Sequence, residues 1–243
     1  MLVIHQLTLF RSGKIMKILS LIPARSGSKG LQHKNIRKIN GKALLSHAIS
    51  TAALFSAEGD IILSTDDHLY YEIAQQQFKN IDYSPRPSRL SCSDTLIIDV
   101  VLYELRRFFS NHNICEYDYL LLLEPSHYGS RENIPNAIDV VRQKQLSFAF
   151  GAEKVPNKYH YKKQIIFDPT IKKMKPMVDH INRQSLHESN IRSGEFYLLH
   201  ITKLIESGSF WSGAGEAFVT KGLYANIDTI HDYVNIKTQV EKN

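Results

Sequence analysis

Arg25, Ser28, Lys29, Gly30 and Lys34 crowd together directly behind an apolar run, residues 18–22, that stops at Pro23. The stretch IPARSGSKGLQHKN, residues 22–35, contains no carboxylate. Backbone N–H groups in a glycine-containing turn form an anion-binding concavity. Gly27 and Gly30 allow such a turn, and Arg25, Lys29 and Lys34 add countercharge. The loop is neither a Walker A motif, since no GK[ST] is present, nor a GxGxxG fingerprint. Its residue types alone specify a site for a polyanion, with a solvated basic loop as the plainer alternative.

A cradle of this kind needs a scaffold that fixes where the loop begins. Short apolar runs predict strands over residues 18–22, 61–64, 119–123, 147–151, 196–199 and 223–227. Helical spacing of apolar residues predicts helices over 43–55, 69–78 and 134–141. A strong helix is expected in DTLIIDVVLYELRRFF, with Asp94 as its N-cap, and a final helix from Asp228 onward. This alternation predicts an α/β fold with a mostly parallel central sheet and helices on both faces, Rossmann-like in its layering. Residues 152–195 break the pattern. They are polar and basic, and QIIFDP with KKMKPM is expected to form a hairpin-like excursion. Ligands of such sheets bind outside the carboxyl ends of the strands. Those ends carry Arg25–Lys29, Thr65–Asp67, Glu124–Ser130 and Asp228.

The 243 residues carry a net charge of +6, and the first acidic residue is Glu58, so the excess sits at the N-terminal end. A phosphate site and a nucleic-acid surface both concentrate cations in this way. No run of five basic residues or interleaved aromatic pattern is present, which argues against bulk nucleic-acid binding. No apolar run approaches the roughly 18–20 residues of a membrane helix. Cys92 and Cys115 form neither a CxxC nor a disulfide framework, as expected of a reducing cytoplasm. The 11 histidines show no metal-ligand spacing, and no nucleophilic triad is evident. Residues 1–15 are expected to be an extension ahead of Met16, and residues 16–243 a single domain.

IPARSGSKGLQHKNIRKINGKALLSHAI closely resembles the N-terminal signature of the acylneuraminate cytidylyltransferases, the CMP-sialic acid synthetase family. Later segments follow in the family's order: LSTDD (63–67), RPSRLSCSDT (86–95), LLLEPSH (121–127), NRQSL (182–186), SGEFYLL (193–199) and NIDT (226–229). The resemblance implies a nucleotidyltransferase joining CTP to a nonulosonic or related keto sugar acid, with Mg²⁺, in a homodimer contacting through 152–195. It implies that Ala24, Arg25, Ser28, Lys29 and Gly30 hold the nucleotide phosphates. Lys34 and Asn35 would lie near the reacting centre, with Arg25 and Lys34 as the catalytic cations. Arg86, with Ser93 and Asp94, would shape the cytosine and ribose pocket. Glu124, Arg183 and Gln184 would meet the sugar, and Asp228 with Asn226 the metal.

Three departures bear on activity. Asn226 stands where the family usually has an acidic metal ligand, Glu124 where it has Gln, and Ser130 where it has Arg, with Arg131 one residue displaced. Ser185 and His187 depart on the sugar side, so legionaminic, pseudaminic and other keto acids fit as well as N-acetylneuraminate. A catalytically weakened nucleotide-binding relative with a degraded metal site is the alternative expectation.

Overall fold

The computed structural model describes residues 16–57, 60–129, 131–170, 172–179, 182, 184 and 186–242. The expected extension, residues 1–15, lies outside the described residues, as do Ser130 and Arg183. The chain begins with β1 (Ile18–Pro23), whose six residues are all buried. A small hairpin, β2 (Lys38–Ile39) and β3 (Lys42–Ala43), follows the loop. It turns at Asn40 and Gly41, both at positive φ, the pairing favoured by tight hairpins. Then come α1 (Leu44–Ala52), β4 (Ile61–Thr65), α2 (His68–Gln77), β5 (Asp82–Pro85), α3 (Ile97–Phe109) and β6 (Tyr119–Leu122). A short strand β7 (His127–Gly129) precedes α4 (Asn133–Lys144) and β8 (Phe148–Lys154). The hairpin β9 (Ile165–Asp168) and β10 (Lys173–Pro176) leads into β11 (Asn190–His200), α5 (Ile201–Ser207), β12 (Gly215–Val219), β13 (Tyr224–Asn226) and α6 (Ile230–Glu241).

Seven strands form the main sheet in the order β12-β8-β11-β6-β1-β4-β5. β1 pairs in parallel with β4 and β6, β4 with β5, and β8 with β12. β11 runs antiparallel to both β6 and β8. The central strands β1, β4 and β6 are buried at every position, as parallel strands covered on both faces must be. Alternate residues feed two cores. Ile18, Ile22, Ile61, Leu63 and Leu121 pack with α1, α2 and α4 on one face. Leu19, Leu21, Ile62, Leu120 and Leu122 pack with α3 and α5 on the other. The expected mostly parallel, two-faced architecture is therefore present.

Several boundaries differ from expectation. Asp94 does not cap α3. The helix starts at Ile97, and Leu96 occupies the cap position without a side-chain bond. The preceding residues are held in tight turns by Leu90 N–H to Pro87 O and Ser91 N–H to Ser88 O, so the chain enters the helix late. The strand expected at 223–227 shortens to β13 and pairs antiparallel with β7 in its own ribbon, outside the main sheet. The excursion is shorter than 152–195, because β8 reaches Lys154 and β11 starts at Asn190, where these two residues pair. Ladder bonds need only backbone, so polar side chains there do not stop the strands. The expected hairpin forms as β9 and β10, with Lys173 opposite Asp168.

Candidate active site

The loops that follow β1, β6 and β13 meet the turn before α3 around a cavity of about 640 Å³. Arg25, Ser28, Lys29, Gly30, Lys34 and Asn35 reach it from the first loop, and Ser93 from the turn. Glu124 comes from the end of β6, and Asn226 and Asp228 from β13 and beyond. Ten of the expected residues therefore share one wall system. A second recess of about 640 Å³ lies on the other side of the loop and shares Arg25, Ser28, Lys29 and Ser93 with the first.

The loop is tied down at several points. Ala24 is fully buried and donates its N–H to the Ser64 carbonyl at 2.8 Å, so it roots the loop and does not line the cavity. Asp66, in the STDD segment, accepts the Ser26 N–H at 2.7 Å and the Ser26 hydroxyl at 3.1 Å. Arg25 donates from Nη1 to the Cys92 carbonyl at 3.0 Å, joining the loop to the turn before α3. Asn35, almost fully buried, donates from Nδ2 to the Arg25 carbonyl at 3.0 Å. Gly30 is required by proximity: a Cβ there would stand 2.4 Å from the Asp228 carbonyl oxygen. Gly27 faces open space and is not at positive φ, so it is no steric necessity in this turn.

Lys34 Nζ lies 2.8 Å from Asp228 Oδ1. Asn226 donates from Nδ2 to Asp228 Oδ2, also at 2.8 Å. Both carboxylate oxygens are thus engaged, one by an ammonium and one by an amide. Among the described residues no three His, Cys, Asp or Glu side chains cluster as a metal site. The set nonetheless fits a hard cation that brings most of its ligands with it. Mg²⁺ is commonly held by one or two carboxylates plus phosphate oxygens, and Asp228 is an exposed carboxylate on the wall of a cationic cavity.

Burial pushes the Glu124 carboxyl above its usual range, while the charges of Lys34 and Arg131 pull it back. Arg131 turns inward. Its Nη2 donates to the carbonyls of Glu124 at 3.4 Å and His127 at 3.0 Å, stapling the 124–127 turn. Burial lowers its pKa to about 10.

The remaining expected residues lie elsewhere. Arg86 is buried and lines neither recess; it is bonded to Ser64, and burial lowers its pKa to about 10. Asp94 is not on the wall of the 640 Å³ cavity, whose turn contributes Ser93 instead. Gln184 is exposed, on the excursion, and lines neither recess. His127 lines the cavity and was not singled out in the sequence. Its only signal was position, three residues past Glu124 at a strand end. The ring stacks on Tyr224 at 6.0 Å and packs against Gly194, where φ is +76° and a Cβ would come within 2.4 Å of Nε2. Burial, then the charges of Arg131 and Lys34, press its pKa down to about 4.

His127 is therefore neutral through the physiological range. An unfolded His127 would take up a proton near pH 6.5, which the folded ring refuses down to about 4, so acidification through that window works against the fold. In an NMR titration the His127 ring signals should stay flat from pH 8 to 5 and move only near pH 4. A midpoint close to 6.5 would show a solvated ring.

Residues 19–101 match the family model described as cytidylyltransferase. The chain is 27% identical over 217 residues to the CMP-N,N'-diacetyllegionaminic acid synthase of Legionella pneumophila, covering 88% of this chain and 90% of that protein. It is 25% identical over 231 residues to the N-acylneuraminate cytidylyltransferase of Streptococcus agalactiae serotype V. That match covers 91% of this chain but spans only 52% of the longer relative. In fold it is similar to a CMP:2-keto-3-deoxy-manno-octonic acid synthetase solved with CTP, at a TM-score of 0.64 and 14% identity, over 93% of this chain and 99% of that one. With the motifs in order and the strand-end loops gathered on one cavity, the chain is similar to the acylneuraminate cytidylyltransferases over most of its length.

Proposed function

We propose that the chain couples CTP to a nonulosonic or related keto sugar acid, giving the CMP-sugar and pyrophosphate. The observation that carries this reading is a cavity in which a carboxylate-free cationic loop, Lys34 included, meets Asp228. A triphosphate brings several negative charges, and fixed cations in a concave site stabilise the charge that shifts toward the leaving pyrophosphate. Arg25, Ser28 and Lys29 hold the phosphates, and Lys34 and Asn35 stand nearest the α-phosphate. The sugar's anomeric oxygen forms a bond to the α-phosphorus as the bond to the pyrophosphate oxygen breaks, and the hydroxyl proton passes to solvent or a nearby base. No covalent enzyme intermediate is required, since positioning and charge neutralisation suffice. Asp228 and Asn226 would hold Mg²⁺, which would supply further neutralisation of phosphate charge. Glu124, Arg183 and Gln184 are assigned to the sugar side, where the relatives named for legionaminic and N-acylneuraminic acids supply the substrate class.

The same reading places one catalytic domain over residues 16–243 in the cytoplasm, where CTP is made. Exposed Ile165, Ile166, Phe167 and Met174 on the β9–β10 hairpin are its contact with a second copy in a homodimer.

Mixing the full chain with CTP, Mg²⁺ or Mn²⁺ and a panel of nonulosonic acids should release pyrophosphate with at least one acid. CTP binding without turnover across the panel would establish the weakened nucleotide-binding relative in its place. Lys34→Met should lower kcat/KM by roughly 10²–10³-fold, the cost of removing one preorganised charge from a developing anion; an unchanged value would place Lys34 away from the reacting phosphate. Asn226→Asp sets a second carboxylate beside Asp228. It should create Mn²⁺ binding detectable by electron paramagnetic resonance without nucleotide, and lower the Mg²⁺ requirement. A spectrum unchanged from wild type would show that residue 226 is remote from the metal.

A further inference from the structure

Glu104 sits on α3, fully buried, and lines neither recess beside the phosphate loop. Both its oxygens are engaged: Oε1 accepts the Ser64 hydroxyl at 2.6 Å and Oε2 accepts Arg107 Nε at 2.9 Å. Arg107 is neutralised on its outer side by Asp82, its Nη1 lying 3.4 Å from Oδ1. Ser64 is a junction. Its Oγ accepts Arg86 Nε at 3.0 Å. Its carbonyl accepts Arg86 Nη2 at 2.7 Å and the Ala24 N–H at 2.8 Å. The Arg86 N–H donates to the Thr65 carbonyl at 2.8 Å, and the next residue, Asp66, holds Ser26.

The chemistry of a hydroxyl makes this arrangement directional. Ser64 has one proton, and a carboxylate can only accept, so the proton points at Glu104 and the oxygen's lone pairs are left for Arg86. A guanidinium 7% exposed needs a counter-ion, and Glu104 is the largest charge favouring its protonated form. An amide at 104 could donate toward Ser64, setting the hydroxyl free to reorient and leaving Arg86 with only the weaker counter-charge of Asp66.

We infer that Glu104 is a positioning residue for the nucleotide site, fixing through Ser64 and Arg86 the point at which the phosphate loop leaves the sheet at Ala24. The inference rests on the reading of that loop as the CTP cradle. Glu104 touches no nucleotide. It acts from the far side of β4, tying α3 to the root of the loop.

Calorimetric titration of CTP with Mg²⁺ into the full chain tests it, alongside the melting temperature of each variant. Glu104→Gln should weaken CTP binding about tenfold, the scale of one charge-assisted hydrogen bond. Asp82→Asn removes the outer ion pair of Arg107 and should lower the melting temperature while leaving CTP affinity within about twofold, since Glu104 keeps its bonds to Ser64. Ser64→Ala cuts the relay with both charges retained, should weaken CTP as Glu104→Gln does, and decides the matter where Glu104→Gln fails to fold. CTP affinity unchanged in Glu104→Gln, or reduced as much in Asp82→Asn, overturns the inference. A wild-type chain that binds no CTP overturns the proposed function instead, and the inference with it.

Discussion

Residues 30–34 and residue 228 must meet for the site to exist, although nearly the whole chain separates them. The 2.8 Å contact of Lys34 with Asp228 marks that closure but does not cause it. Asp228 is well exposed, and pairs of that kind contribute about 0–1 kcal/mol. The closure is made by packing. Leu31 from the first loop, Ile39 from the hairpin and Leu44 at the start of α1 bury themselves with Ile227, next to Asp228, and Ile236 on α6. Gly30 lets the two backbones touch at the Asp228 carbonyl. The Tyr233 hydroxyl reaches the Lys38 carbonyl at 2.7 Å. A capping box between Thr229 and Asp232 fixes where α6 begins. Side-chain charge is thereby left free for chemistry, because apolar burial does the joining.

The same division runs through the whole cavity. Off its wall the cations are fixed by bonds: buried Arg86 on Ser64, half-buried Arg107 between Asp82 and Glu104, Arg131 on the carbonyls of the 124–127 turn. Where a cation lines the cavity it is tethered lightly. Arg25 makes one bond to a carbonyl, and Lys29 is exposed on the cavity wall. Acidic groups near the loop are engaged by backbone N–H groups, Asp66 by Ser26 of the loop and Asp67 by Leu69 at the start of α2. The loop therefore presents net positive charge although carboxylates stand close by.

The central strands were legible in the sequence because β1, β4 and β6 are buried on both faces and have to read as continuous apolar runs. The edge strands were not. β5 is DYSP and β12 is GEAFV, and an edge strand half-open to water carries no such signature. The basic loop on the cavity wall was legible because charge and glycine content are visible in the sequence itself. His127 was not, since a histidine becomes informative only when its surroundings are known, here Tyr224, Gly194 and two neighbouring cations. Motif position singled out Arg86 for the nucleotide pocket, but its burial on Ser64, backed by Glu104, depends on residues forty apart on different elements.

The departures at 124 and 226 change meaning once both are placed. One exposed acid is absent from β13 and one acid is added at the end of β6, and Glu124 is coupled to both Lys34 and Asp228. The number of carboxyl groups around Lys34 is therefore kept while one of them moves inward. Moving inward is not neutral, because burial raises the pKa of Glu124 and weakens it as an anion. Asn226 at the same time donates a hydrogen bond to Asp228, drawing off part of that carboxylate's charge. The missing acid at 226 makes the surroundings of Lys34 less negative, and an acid at 124 whose pKa burial raises restores that charge only in part. A cavity altered in that direction repels a polyanion less, and would hold a bare divalent cation more weakly.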